Sequence, residues 1–376
     1  MAEEHGKHLV IACGGTGGHF FPTLAIAQAF VALGNRVTLM VAGAHSAEQL
    51  EIAAKFGLPA VEVPAVRGPQ SVMDALLFPF RFLNCIWKAK SCLKQLRPDV
   101  MLGMGSYASV ATCLARPSKV PLVLHEGNAF MGKANRMLAR RASRIGLSLP
   151  LTYPEQCKGA VSRLVGMPLR QALLDAVIAP PQTGFLTSLG LVEGVPTVLV
   201  FGGSQGARAI NELFTKLAPL LKDRAGHIQF LHLTGTDDNA ALQEAYASAG
   251  VAASVRRADS QIQHCYQAAS LVVCRGGASS LCELALFSKP AISIPLPSAA
   301  DDHQTVNARF ADSIGGAKCL PQDQATPEAM RSLLVEFLEH PVRAAEMGRK
   351  LHQIARPDAA NSMAALLAEV AQEAKT

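Results

Sequence analysis

The chain has 376 residues, enough for two ordinary domains, and with 49% hydrophobic and 17% charged residues it is too apolar to be disordered. Lys and Arg outnumber Asp and Glu by 35 to 29; the resulting +6 is too mild for a dedicated nucleic-acid binder but suits an anionic small molecule or an anionic membrane surface. The nine cysteines are scattered and never spaced C-x-x-C, so they indicate neither a disulfide framework nor a zinc cluster, and a reduced, cytoplasmic compartment fits best.

Short apolar runs alternate with longer helical stretches. Leu9–Cys13, Val37–Val41, Val61–Pro64, Val100–Gly103, Leu122–His125 and Ile145–Leu147 read as buried parallel strands. Helices are expected between them over Pro22–Leu33, Ala47–Phe56, Leu83–Gln95 and Lys133–Arg141. A second series runs through Thr197–Phe201, Ile228–Leu233, Ser254–Arg256, Leu271–Cys274, Ala291–Ile294 and Ala317–Leu320, and an alanine-rich helix follows at 359–374. Strands alternating with helices in two series predict an α/β protein of two doubly wound domains. The stretch His8–Asn35 lacks charged residues, but Gly14, Gly15, Gly17, Gly18 and Pro22 break it, so a single membrane-spanning helix is rejected, and no basic leader marks a signal peptide.

Each series opens with a strand followed by a glycine-rich turn: Gly14-Gly15-Thr16-Gly17-Gly18 and Gly202-Gly203-Ser204-Gln205-Gly206. Ligands of open α/β sheets bind at that carboxyl edge, where backbone N–H groups and a helix N-terminus can hold an anion. Neither turn is G-x-G-x-x-G or G-x-x-x-x-G-K-[ST], which weakens dinucleotide and P-loop readings. His19 follows the first turn, where a neutral imidazole can remove a proton. Cys274–Glu283 reads as strand end, glycine turn and helix start, with Glu283 able to accept hydrogen bonds from both hydroxyls of a ribose. Asp301–Ala308 is rich in donors and acceptors for a sugar. No Asp-x-Asp pair occurs, so no metal site and no cofactor are expected. Leu76, Phe80, Phe82 and Trp87 interleave with Lys88 and other cations, as on a helix lying at an anionic membrane interface. Ordinary core packing is the alternative.

Taken in order over nearly the whole chain, these segments resemble the MurG family of bacterial peptidoglycan glycosyltransferases, which add N-acetylglucosamine to undecaprenyl-pyrophosphoryl-N-acetylmuramyl-pentapeptide. The resemblance rests on Gly14–His19 with Pro22, on Gly103-Met104-Gly105-Ser106-Tyr107, on Gly202–Ala207, and on the Arg275–Glu283 and Asp301–Ala308 segments. His125-Glu126-Gly127-Asn128 and Val165-Gly166-Met167-Pro168-Leu169-Arg170 match with departures, Gly127 standing for the family's Gln and Met167 for its Asn.

The resemblance implies a GT-B fold, two facing Rossmann-like domains with a cleft between them. An N-terminal acceptor and membrane domain would span 1–168, with the helix at about 357–376 packing back on it. A donor domain would span 169–356. UDP-N-acetylglucosamine would be held by Glu283 (ribose), Gln304 and His303 (sugar), Ser204, Gln205 and Gly206 (diphosphate), Gly277, Ala278, Ser279 and Arg170. Asp259 and Ile262 would lie near the uracil, although the family's Phe-Ile is absent there. The lipid acceptor would meet Gly14, Gly15, Gly105, Ser106, Tyr107 and His125, while Thr16, Gly17, Gly18 and Asn128 would serve both substrates. His19 or Glu126 would be the base of an inverting transfer. No nucleic acid is involved; the implied partners are the two substrates, the cytoplasmic face of the inner membrane, where the protein is peripheral, and other cell-wall or division proteins. The rival readings are a GT-B enzyme with another acceptor, a UDP-N-acetylglucosamine 2-epimerase, and a non-catalytic nucleotide-sugar-binding protein.

Overall fold

The computed structural model describes residues 6–15, 17–66, 68, 71–202 and 208–374. The chain divides into two compact units, residues 1–170 with 356–376 and residues 171–355. Among the described residues the first unit holds strands β1 (His8–Gly14), β2 (Arg36–Ala42), β3 (Ala60–Glu62), β4 (Val100–Gly103), β5 (Leu122–Glu126), β6 (Arg144–Leu147) and β7 (Val161–Leu164), in the order β3-β2-β1-β4-β5-β6-β7. The second holds β8 (Thr197–Phe201), β9 (Gln229–Leu233), β10 (Ala253–Arg256), β11 (Leu271–Cys274), β12 (Ala291–Ser293) and β13 (Lys318–Cys319), in the order β10-β9-β8-β11-β12-β13. All recorded strand pairs are parallel; Leu9 pairs with both Val37 and Val100, and Thr197 with Gln229. These are two doubly wound, Rossmann-like sheets, and in each the strand order reverses beside the first strand, between β1 and β4 and between β8 and β11.

The strands read as unbroken apolar runs because helices cover both faces. On one face of the first sheet, Leu9, Ile11 and Cys13 pack with Phe20 and Leu24 and with Met363, Leu366 and Leu367 of the C-terminal helix Ala359–Glu373. On the other, Val10, Met40 and Met101 pack with Ala89 and Leu93. Val198, Val200 and Phe230 centre the core of the second unit.

Three elements differ from expectation. The first helix spans Gly17–Ala32, with Pro22 inside it, where the sequence predicts a start at Pro22. Glycine has poor helix propensity, but first-turn N–H groups need no intrahelical partner. The expected Leu83–Gln95 helix is longer, Val72–Leu96, capped by Ser71 Oγ accepting from Asp74 N, and it carries Pro79. All four residues of edge strand β7 are exposed, and it has no apolar run to announce it.

Buried histidines lower the acid stability, His125 and His232 most strongly. Burial is the leading reason that the pKa falls from 6.5 to about 4 at His125 and to about 3 at His232. The unfolded chain binds these protons below pH 6.5 and the folded chain does not, so stability is full above that value and lost as pH falls towards the folded pKa values. At pH 5 each histidine is expected to remove on the order of 2 kcal/mol from its own unit. Urea midpoints at pH 7.5 and pH 5 check this, and His232→Phe should reduce the difference. Equal midpoints for the unmodified chain would contradict it.

Candidate active site

At the carboxyl edge of the first sheet, β1 ends in Gly14, Gly15 follows in a bend, and the next helix is Gly17–Ala32. Gly17 and Gly18 form its first turn, so the positive end of a four-turn helix faces this edge. His19 is half-buried on the same turn, and its Nδ1 donates to the Met104 carbonyl at 2.9 Å. Gln49 Nε2 donates to the Gly15 carbonyl at 2.8 Å and holds the turn from the other side. Beyond β4, Gly105 and Ser106 lie close beneath the surface, and Tyr107 is 41% exposed. The Arg170 guanidinium stacks 5.0 Å over the ring of Phe21 on the helix that carries His19. Thr16 lies outside the described residues.

Two expected site residues are internal struts. Glu126 is 3% exposed: Oε1 accepts from Asn128 N (3.0 Å) and Nδ2 (3.1 Å), and Oε2 accepts from Gly132 N and Asn135 Nδ2 (both 2.9 Å). Four donors saturate the carboxylate, which pins the 127–132 loop instead of facing a substrate. His125 is 4% exposed, with Nε2 against Ser148 Oγ at 2.9 Å, and that hydroxyl donates to the Gly166 carbonyl. Burial, reinforced by the nearby His19, keeps its imidazole neutral. Neither side chain is placed to contact an acceptor. Asn128 is half-buried at the rim of that loop.

In the second unit, Gly277 caps the helix Ala278–Leu286, which opens with Ala278 and Ser279 and carries Glu283 one turn in. Glu283 Oε2 accepts a 2.6 Å hydrogen bond from the hydroxyl of Tyr266, whose ring is wedged between Phe201 and Phe287 at centroid distances of 6.1 and 5.4 Å. The adjacent Cys274 and Cys282 thiols are pushed up to about 12, by burial first and by the Glu283 charge second. Gln304 Oε1 accepts from Leu296 N at 3.0 Å, leaving the amide nitrogen as its donor end. A Cβ on Gly276 would run into the Gln304 carbonyl, and Asn307 Nδ2 donates to the Gly276 carbonyl at 3.0 Å, so the glycine turn and the Gln304 helix are packed together. His303 is half-open at that helix start, with Nδ1 donating to the Ala300 carbonyl. Asp259 is committed locally, accepting from Arg256 Nη1 and Gln261 N (both 2.8 Å) just before Ile262 starts the next helix. Ser204, Gln205 and Gly206 lie outside the described residues.

Sequence reasoning included Met104 in a motif without reading the role of its carbonyl, and it missed Gln49, which holds the Gly15 turn from a remote helix, and Tyr266, which reaches Glu283 from a different helix. A cavity of about 320 Å³ in this unit, lined by Pro181, Phe185, Pro196 and His264, lies before β8, at the amino edge of the sheet, and contains none of these residues.

On the helix Val72–Leu96 a stripe of Met73, Leu76, Leu77, Phe80, Leu83 and Trp87 faces solvent, Phe80 being 73% and Trp87 69% exposed. Exposed Lys90 and Lys94 continue the same spacing, and Lys88 flanks it. Core packing is therefore not the role of this stripe. Phe82 is less open than the stripe: it is half-buried and its ring stacks on the half-buried Phe78 at 5.6 Å. Among the described residues no helix is long and apolar enough to cross a membrane, and no cluster of three or more His, Cys, Asp or Glu could hold a metal.

Both sheets are Rossmann-like, and among the described residues glycines lie at their carboxyl edges, Gly14 and Gly15 after β1 and Gly276 and Gly277 after β11, with His19 on the helix that follows the first pair. The glycosyltransferase family 28 N-terminal domain matches residues 9–147 and the family 28 C-terminal domain matches residues 197–363. The chain belongs to glycosyltransferase family 28. It is 39% identical to the UDP-N-acetylglucosamine–N-acetylmuramyl-(pentapeptide) pyrophosphoryl-undecaprenol N-acetylglucosamine transferase of Verminephrobacter eiseniae, over 97% of this chain and 99% of that one. It is 37% identical to the enzyme of that name from Saccharophagus degradans, over 96% and 91%. The crystal structure of Acinetobacter baumannii MurG superposes with a TM-score of 0.77 at 30% identity, covering 96% of this chain and 99% of that one. The UDP-N-acetylglucosamine 2-epimerase of Neisseria meningitidis shares the fold at 12% identity, with a TM-score of 0.71.

Proposed function

We propose that this chain transfers N-acetylglucosamine from UDP-N-acetylglucosamine to the 4-hydroxyl of undecaprenyl-pyrophosphoryl-N-acetylmuramyl-pentapeptide, in peptidoglycan synthesis. The observation that carries the reading is the match, at 39% identity over 97% of the chain, to a transferase of that name. The first unit takes the acceptor and the second the donor. Glu283 accepts from the ribose hydroxyls, Gln304 donates to the sugar, and the helix start at Gly277–Ser279, with Ser204, Gln205 and Gly206, neutralises the diphosphate. The acceptor pyrophosphate meets the helix start at Gly17–Gly18, with Asn128 and Tyr107 alongside.

His19 Nε2 takes the proton of the attacking hydroxyl. The new bond forms between that oxygen and the anomeric carbon, the bond to the β-phosphate oxygen breaks, and its electron pair leaves with UDP. Attack opposite the leaving group inverts the centre and gives a β-1,4 link. Glu126, with four donors on its oxygens, is not the base. Since the chain has no Asp-x-Asp pair to carry a metal on the diphosphate, turnover should persist in excess EDTA. Complete loss restored only by Mg²⁺ or Mn²⁺ would contradict that reading.

The solvent-facing stripe on Val72–Leu96 docks on the anionic cytoplasmic surface of the membrane, where the acceptor's lipid tail stays. Each large side chain that enters the interface contributes roughly 2 kcal/mol. Phe80→Ser with Trp87→Ser should therefore reduce binding to phosphatidylglycerol vesicles and activity on the long-chain acceptor, while sparing a water-soluble short-chain acceptor and the melting temperature. Equal losses on both acceptors would contradict docking. The transfer itself is tested by incubating the protein with UDP-N-acetylglucosamine and a lipid-linked muramyl-pentapeptide. UDP release that requires the acceptor is expected, whereas N-acetylmannosamine formed from donor alone would mark an epimerase.

A further inference from the structure

We propose that the glycine-flanked turn after β4, Gly103-Met104-Gly105, is a positioning element for His19 and not a ligand cradle: it holds the Met104 carbonyl against Nδ1, which places the proton there and makes Nε2 the atom that accepts the substrate's proton. The inference rests on the reading of His19 as the base.

A carbonyl oxygen can only accept, so the 2.9 Å contact between His19 Nδ1 and Met104 O requires Nδ1 to carry the hydrogen. The Met104 peptide has little freedom to swing away. Its N–H donates to the Ala12 carbonyl at 3.2 Å, tying it to β1, and its side chain is buried. On one side, a Cβ on Gly103 would lie 2.9 Å from Cys113 Sγ and 3.0 Å from Leu124 Cδ2. On the other, Gly105 has φ +77°, and a Cβ there would lie 2.8 Å from Asn135 Nδ2 and 3.3 Å from the His125 carbonyl. Asn135 cannot yield cheaply, because the same nitrogen donates to the His125 carbonyl and to Glu126 Oε2. The saturated Glu126 and the buried Asn135 thus have a purpose in the site. They form the rigid floor under the carbonyl that orients the base, much as a carboxylate orients the histidine of a catalytic triad.

The test is ¹⁵N NMR on the full-length chain labelled at histidine, at a pH where imidazoles are neutral, with the His19 signals assigned by their absence in His19→Gln. A protonated Nδ1 and a bare Nε2 are expected at His19. The opposite tautomer overturns the proposal, since Nδ1 would then face a carbonyl with no proton between them. Gly105→Ala should shift the His19 signals towards a tautomer mixture and lower kcat by about 10- to 100-fold, with KM for UDP-N-acetylglucosamine unchanged. An unaltered tautomer and rate in that variant also overturn the proposal, and if it fails to fold, the wild-type spectrum decides alone. His19→Gln kinetics separate the two ideas. Retained rate removes the base itself and any role for the turn, whereas a lost rate with an Nε2–H signal removes only the turn.

Discussion

Replacing His19 with alanine is expected to lower kcat by about 10²–10⁴-fold, with KM for UDP-N-acetylglucosamine nearly unchanged. The side chain is half-buried and its Nδ1 bonds a backbone carbonyl, that of Met104, so the fold should tolerate its loss. In the unmodified protein the rate should fall on the acid side, as a base must be neutral to accept a proton. His125 does not supply that limb near neutrality, since burial holds its pKa at about 4. Glu126→Ala should behave differently. It strips the acceptor from four buried or half-buried donors, so the melting temperature drops first and activity follows the folded fraction. Steady-state kinetics with melting curves separate the two variants. A near-normal kcat in His19→Ala, alongside a stable but inactive Glu126→Ala, would reverse the assignment.

The second large effect is at the donor. Glu283→Ala should weaken UDP-N-acetylglucosamine binding by about 1.5–3 kcal/mol, roughly 10- to 150-fold, because the ribose hydroxyls lose a charged acceptor. The same change leaves the buried Tyr266 hydroxyl without its carboxylate, so Glu283→Gln, which keeps an oxygen there, is the cleaner variant. Tyr266→Phe should fall between wild type and Glu283→Gln, since it keeps the carboxylate but frees it to rotate. Titration calorimetry with UDP-N-acetylglucosamine checks the series. Unchanged affinity in Glu283→Gln would remove the residue from the site.

The parallel sheets were legible because strands covered on both faces spell continuous apolar runs, as Leu9–Cys13 and Thr197–Phe201 do. The glycine turns were legible because they follow those runs directly. Edge strand β7 was not, since four exposed residues carry no such pattern. The helix start at Gly17 was hidden because glycine reads as a breaker wherever it stands, while a helix's first turn makes no demand on its side chains. The ordered motifs fall at the carboxyl edges of both sheets. They did not tell which side chains face out. His125 and Glu126 end a strand at that edge, and a polar residue there reads the same whether it meets ligand or pins a loop. The half-burial of Phe82 was hidden for a similar reason: membership of an apolar-basic run does not say how far a ring is exposed. Tyr266 and Met104 act on Glu283 and His19 across 17 and 85 residues of chain, distances that no spacing rule covers.

The central claim is most directly tested by the structure of the product formed from UDP-N-acetylglucosamine and the lipid-linked muramyl-pentapeptide, read by NMR at the new anomeric centre and by its ratio to released UDP. One UDP per disaccharide is predicted, with a β linkage to the 4-hydroxyl and the lipid pyrophosphate intact. An α linkage, or UDP released with free N-acetylglucosamine or N-acetylmannosamine and no disaccharide, would contradict an inverting transfer to the lipid acceptor.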